Sequence, residues 1–267
     1  MIGFILALIS LSLTLIIHEW GHFLFARKFK VRVDEFGIGY PPRLFSVKKN
    51  GVVYSINAIP FGALTAIYEG DKNNPEKDSF HAQSFWKKFL ILFAGPLFNF
   101  LLAYFIFILL FTIGMPQILI PESFGQISLK VPFYLAPIKA LEFLGTLLKE
   151  TFIGFGRLLV NFFLRLDISE LVGPVGIMAI SSKAFEINIS YGLYILGLIS
   201  FGFATFNWLP IPALDGGRIL FLLIGKIRKK EVSQATENAI NNFVFVMLLI
   251  LMLFVTVKDV KLFILKS

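Results

Sequence analysis

The 267-residue chain contains no cysteine. Disulfides and thiolate metal sites are therefore excluded, and a tightly held transition metal has to rely on histidine and carboxylate. Histidine is itself scarce, with three in the chain, and charged residues make up only 16% of it. An ordinary soluble domain carries about 25% charged residues, so this shortage argues against one. What fills the chain instead is apolar: 57% hydrophobic residues, 32 of them phenylalanine, and a mean hydropathy of +0.79. The surplus is gathered in blocks, which is how membrane spans look. No internal repeat or low-complexity segment stands out. Acidic residues are also fewer than basic ones, leaving a net charge of +8. In a membrane chain that excess points to cytoplasm-facing Lys/Arg clusters and not to a nucleic-acid partner.

Four blocks read as spans, at about 2–25, 89–113, 191–214 and 243–257. The third is interrupted by Pro210 and Pro212, and the fourth is short at its ends. The first could pass for a signal peptide, but it lacks a basic leading region and polar residues interrupt it. Basic residues crowd after the first block (Arg27, Lys28, Lys30, Arg32), before the second (Lys87, Lys88) and after the third (Arg218, Lys226, Arg228, Lys229, Lys230). The positive-inside rule puts all these clusters in the cytoplasm and both termini outside.

Two connecting regions have patterns of their own. Residues 31–70 alternate apolar and polar, are rich in glycine and β-formers, and contain "KKNG", a hairpin turn signal. They predict a cytoplasm-side β-hairpin or small sheet that lies against or dips into the membrane. Residues 136–165 place leucine and phenylalanine at helical spacing with Lys139, Glu142, Lys149, Glu150, Arg157 and Arg165 among them. That pattern predicts an amphipathic helix at the outer interface, with a fifth span as the competing reading. The fold expected is a membrane α-helical protein, with the whole chain, 1–267, forming a single domain.

The chemistry is concentrated in "LIIHEWGHFLF", where His18, Glu19 and His22 interrupt an apolar run. Ionisable groups in hydrocarbon are costly and mark function. On a helix, residues four apart project from one face, so His18 and His22 can share one zinc ion while Glu19 reaches a water polarised by it. A catalytic zinc needs a third protein ligand and an open position. His81, in the polar "DSFHAQSFWKK", reads as a solvated loop or interface residue. The acid at membrane depth is Asp215, at the end of "NWLPIPALDGGR". Alone it would read as a helix cap; beside a site short of a ligand it reads as the third one. Asn207 offers an amide to a developing oxyanion or to a substrate backbone, or an interhelical hydrogen bond. Asn99, in "AGPLFNF", reads as a packing residue, with Ala94 and Gly95 allowing close helix approach.

Taken together, HEWGH in the first block, "AGPLFN" in the second, "LVGPVGI" before the third and "NWLPIPALDGGR" within it resemble the site-2 proteases, zinc intramembrane metalloproteases, most closely the bacterial branch that cleaves anti-sigma factors. The likeness covers most of the chain, in order. It implies His18, His22 and Asp215 as ligands of one zinc ion, Glu19 as general base and Asn207 as a substrate or transition-state contact. It also implies a multi-pass protein of the bacterial cytoplasmic membrane that cleaves single-pass substrates within their membrane segment, such as an anti-sigma factor or a remnant signal peptide. The region "EFGIGYPPRLFS…YSINAIPFGALTAIYEGD" resembles that branch's membrane-reentrant β-structure. The chain departs from the branch at Ala63 and Leu64, where a glycine pair is usual. It departs again in the loop from Gly114 to about Tyr134, which is too short for the branch's PDZ domain. The rival class is a non-hydrolytic zinc transporter or sensor, which would leave Glu19 without a task.

Overall fold

A computed structural model describes all residues except 73, 117–129, 166–168, 170, 264 and 266–267. The stretch on which the short-loop, no-PDZ expectation falls lies mostly outside the described residues. In chain order the elements are α1 (Ile2–Lys28), β1 (Val33–Lys49), β2 (Val52–Ile67), α2 (Phe85–Ile113), α3 (Ala136–Arg165), α4 (Pro174–Ile187), α5 (Ile189–Trp208), α6 (Asp215–Arg228) and α7 (Gln234–Phe263). Four of these, α1, α2, α5 and α7, are long and apolar enough to cross a membrane. The amphipathic 136–165 segment is one helix, α3, and is not among the four.

Two helices depart most from the sequence reading. Helix α5 stops at Trp208, where the third span was expected to run to 214. Proline lacks an N–H and biases the residue before it away from the helix, so Pro210 and Pro212 end it early. Helix α7 begins nine residues before the expected 243 and runs on to Phe263. Its first turns, Gln234–Asn242, are too polar to register as a span yet continue the same helix.

The chain divides into two units, and α1, α2, α5 and α7 each contribute to both. One unit comprises 9–102 and 199–246. Its sheet is a β1–β2 hairpin closed at Asn50 and Gly51, both with positive φ, the conformation a two-residue NG turn needs. The register gives Glu35–Ile38 partners both at Val53–Ile56 and at Ala63–Ala66, so this part of β1 has β2 on each side. Val31, Val33, Phe36 and Val52 pack with Ala26 of α1 and with Ile91 and Leu92 of α2. Full burial of such side chains contributes roughly 1.5–3 kcal/mol each. The far end of the hairpin is the opposite: Tyr40, Leu44, Phe45, Ile56 and Ile59 are exposed, an apolar tip of the kind that sits against or in a bilayer. Helices α1 and α2 approach closely, because a β-carbon on Gly21 would lie 2.4 Å from the Ala94 carbonyl oxygen.

The other unit comprises 1–8, 103–198 and 247–267. Phe107 and Phe111 of α2 pack on Phe143 of α3, with ring centroids 4.7 and 6.1 Å apart, and Tyr194 of α5 closes the cluster. Helix α4 begins at Pro174 with no side-chain cap from its own N-cap, Gly173. Its first amides are met instead by Asp259 of α7, whose Oδ2 accepts from the Gly173 and Gly176 N–H groups at 2.8 and 2.9 Å.

Candidate active site

Each ligand-type residue is positioned by local chain chemistry. His18 and His22 are one helical turn apart on α1, and their rings meet edge-to-face with centroids 4.9 Å apart. Asp215 is the first residue of α6, where a carboxylate is favoured by the positive end of the helix dipole. The loop 209–214 delivers it there by folding back onto the start of α6. A β-carbon on Gly216 would lie 2.0 Å from the Leu209 oxygen, and one on Gly217 2.3 Å from that of Ile211. The glycine pair is what lets the loop close. Asn241 of α7 pins it from the other side, accepting the Ala213 N–H at 2.9 Å.

At the centre, Asp215 Oδ2 lies 3.1 Å from His18 Nε2 and 3.3 Å from His22 Nε2, and the two ring nitrogens are 3.2 Å apart. All three side chains are largely buried, at 12, 9 and 16% exposure. His22 Nδ1 is 2.8 Å from the Ile91 carbonyl oxygen. A carbonyl only accepts, so Nδ1 carries the proton and the Nε2 lone pair faces inward. His18 Nδ1 stands 3.3 Å from the side-chain amide of Asn99, which is fully buried.

This set fits a zinc ion. Tetrahedral ligands about 2.0–2.1 Å from zinc are spaced about 3.3–3.4 Å from one another, close to the three separations here. Asp215 Oδ2 has no hydrogen-bond partner among the described residues, and a buried carboxylate oxygen left so needs a cation. The donor set is two imidazoles and a carboxylate, and His18, His22 and Asp215 form the one metal-type cluster among the described residues.

The same residues open onto a cavity of about 340 Å³ that Glu19 and Asn207 also line, with Thr65, Ala66 and Ile67 of β2 along another wall. Thr65 Oγ1 donates to the Glu19 carbonyl oxygen at 3.0 Å, which ties the strand to the helix carrying the site. Asn207 Nδ2 donates to the Phe203 carbonyl at 2.9 Å and keeps a second N–H. Every site residue singled out from the sequence thus faces one cavity.

Two residues behave otherwise than expected. Asn99, read as packing, touches the His18 ring; its signal was a polar amide in an otherwise uncharged span. His81, read as a solvated loop or interface residue, has a side chain only 8% exposed and lines a different cavity.

Residues 6–251 match the model of peptidase family M50. A relative from Campylobacter jejuni is 28% identical over 97% of this chain and 94% of its own length. One from Clostridium perfringens is 27% identical over 96% and 98%. A Thermotoga maritima protein is 41% identical over 106 residues, 38% of this chain and 21% of its own. All three are described by name as zinc metalloproteases. With a family match of this extent in a chain that has four membrane-length helices and a converged His/His/Asp cluster, the chain belongs to peptidase family M50, the site-2 proteases, and is a membrane-embedded zinc metalloprotease.

Proposed function

We propose that the protein is an intramembrane endopeptidase, its whole chain one membrane domain, that cleaves single-pass membrane proteins within their spanning segment. One zinc ion is held by His18, His22 and Asp215. The observation that carries the reading is the meeting of these three ligand atoms beside Glu19, at the wall of a cavity lined by membrane-length helices.

When bound, zinc polarises the scissile carbonyl and brings the pKa of water to about 7. Glu19 takes the proton of the attacking water and passes it to the leaving amine. The spare N–H of Asn207 donates to the oxyanion as it develops. His22 is held in register by the Ile91 carbonyl, so its ring does not swing as charge shifts. A helical substrate hides its carbonyls in internal hydrogen bonds and has to unwind first. Thr65–Ile67, on the cavity wall, offer a strand against which the unwound segment adds.

The proposed location is the bacterial cytoplasmic membrane, the positive-inside pattern supporting an orientation with the basic loops in the cytoplasm, and the proposed substrate class is an anti-sigma factor or remnant signal peptide. Co-expression with a tagged single-span substrate tests the reading. Glu19→Gln should leave the substrate uncut at unchanged protein level, whereas continued cleavage by that variant rules the mechanism out.

A further inference from the structure

We propose that the second cavity of this unit binds the phosphate of an anionic phospholipid headgroup. The cavity holds about 430 Å³ and is lined by Lys72, Lys88, Arg218, Lys226, Lys229 and Lys230, six cations against the three carboxylates of Glu69, Glu231 and Glu237. Three of the cations are matched: Lys72 to Glu237 at 2.8 Å, Lys88 to Glu231 at 3.0 Å and Arg218 to Glu69 at 2.5 Å. Lys226, Lys229 and Lys230 form no ion pair among the described residues. The lining is therefore short of negative charge.

His81 gives the second, independent indication. Its side chain is only 8% exposed, its Nε2 has no hydrogen-bond partner among the described residues, and the carboxylate oxygen of Glu69 is 4.0 Å away. A buried ring nitrogen left unmatched is costly, and such a group in a native fold calls for a partner. Burial, with Lys72 and Lys88 nearby, holds the His81 pKa below its ordinary value, so the ring is neutral and carries a single N–H. With that N–H on Nε2, a phosphate oxygen accepts it while the surplus lysines meet the phosphate charge.

The source of the phosphate follows from what surrounds the cations. Lys226 Nζ lies 4.0 Å from the centre of the Phe85 ring and 4.9 Å from that of Trp86, and Trp86 is 63% exposed. These rings form the first turn of α2, at the end of a membrane-length helix, where aromatic and basic side chains meet headgroups. Leu92, Phe221 and Leu222 supply apolar walls. A basic pocket between helix ends with apolar walls suits a lipid phosphate, and a freely soluble anion has no use for the apolar part. Glu69, Leu92 and Arg218 also line the catalytic cavity. A phosphate that draws on Arg218 thus acts one helical turn from Asp215.

Short-chain phosphatidylglycerol, short-chain phosphatidylcholine and inorganic phosphate, each added to the purified full-length protein in neutral detergent, test this. Binding is read by native mass spectrometry and by the shift in unfolding temperature. Phosphatidylglycerol should bind saturably and raise the midpoint, at least ten-fold more tightly than phosphatidylcholine. Lys226→Gln with Lys230→Gln should weaken it by about the same factor, and Lys226→Arg with Lys230→Arg should retain it. Equal binding of the two lipids overturns the proposal on the wild-type protein alone, whatever the variants do. An equal shift from inorganic phosphate overturns the lipid assignment. Neither readout involves proteolysis, so the result is independent of the catalytic reading.

Discussion

A β-carbon placed on Gly95 would lie 2.3 Å from Nε2 of His22 and 2.6 Å from the adjoining ring carbon. The missing side chain of α2 is thus the space in which His22, a proposed zinc ligand of α1, sits. The ring has little freedom to retreat, since its other nitrogen is bonded to the Ile91 carbonyl on the same helix α2. Gly95→Ala should therefore displace His22 and lower peptide-bond cleavage about 100-fold, the scale expected when a reacting group moves by about 1 Å. Zinc content of the purified variant and cleavage of a membrane substrate check this, and wild-type values for both would show that the ring has room to move.

Asn99 makes the corresponding test on the other histidine. Its amide nitrogen stands 3.3 Å from His18 Nδ1, and its own Oδ1 is buried without a hydrogen-bond partner among the described residues. Turning the amide over brings Oδ1 to the His18 Nδ1–H and leaves the His18 Nε2 lone pair facing Asp215. Orienting contacts of this kind are worth about 10–100-fold in metal affinity. Asn99→Leu should weaken zinc binding in competition with a chelator by that factor, while Asn99→Asp should retain most of it.

In the other unit, Asp259 is fully buried and accepts two amides at the start of α4. Asp259→Leu leaves the Gly173 and Gly176 N–H groups unmatched, at about 1–3 kcal/mol for each. The unfolding midpoint should fall, and amide exchange at 173 and 176 should accelerate. Unchanged exchange at those positions would mean that α4 does not depend on this cap.

The hairpin has a pH-dependent brace. Glu35 accepts the Ser55 hydroxyl at 2.5 Å and pairs with Arg43. The Ser55 hydrogen bond foremost, then Arg43, outweighs partial burial and holds the carboxyl below its ordinary value. A depressed acid contributes stability that is full above its unfolded-state pKa and lost as pH falls through the folded one. Ser55→Ala should thus lower the unfolding midpoint at pH 6, and the difference from wild type should vanish at a pH acid enough to protonate Glu35 in both.

How much of this was legible in the sequence depended on the range of the forces involved. The His18/His22 pair follows from helical spacing and the Asn50–Gly51 turn from its need for positive φ, whereas Pro210 ended α5 at Trp208, short of the span expected to run to 214. Asp215 was reachable because a zinc site lacking a ligand had one acid at membrane depth to draw on. What stayed hidden was set by partners distant in sequence. Asp259 sits among lysines and looks like an ordinary surface acid until Gly173 and Gly176 come to it. His81 looks like a loop residue until Glu69, Lys72 and Lys88 come near it. The polar start of α7 lacks hydropathy, yet Asn241 within it holds the loop that carries Asp215.

The most direct test of the central claim is the zinc content per chain of the purified protein, measured by inductively coupled plasma mass spectrometry, for wild type, Glu19→Gln and Asp215→Ala in parallel. One zinc per chain in wild type and in Glu19→Gln, and none in Asp215→Ala, is the result predicted for ligands His18, His22 and Asp215 with Glu19 as an unliganded base. Full zinc retention in Asp215→Ala, or its loss in Glu19→Gln, would contradict that assignment.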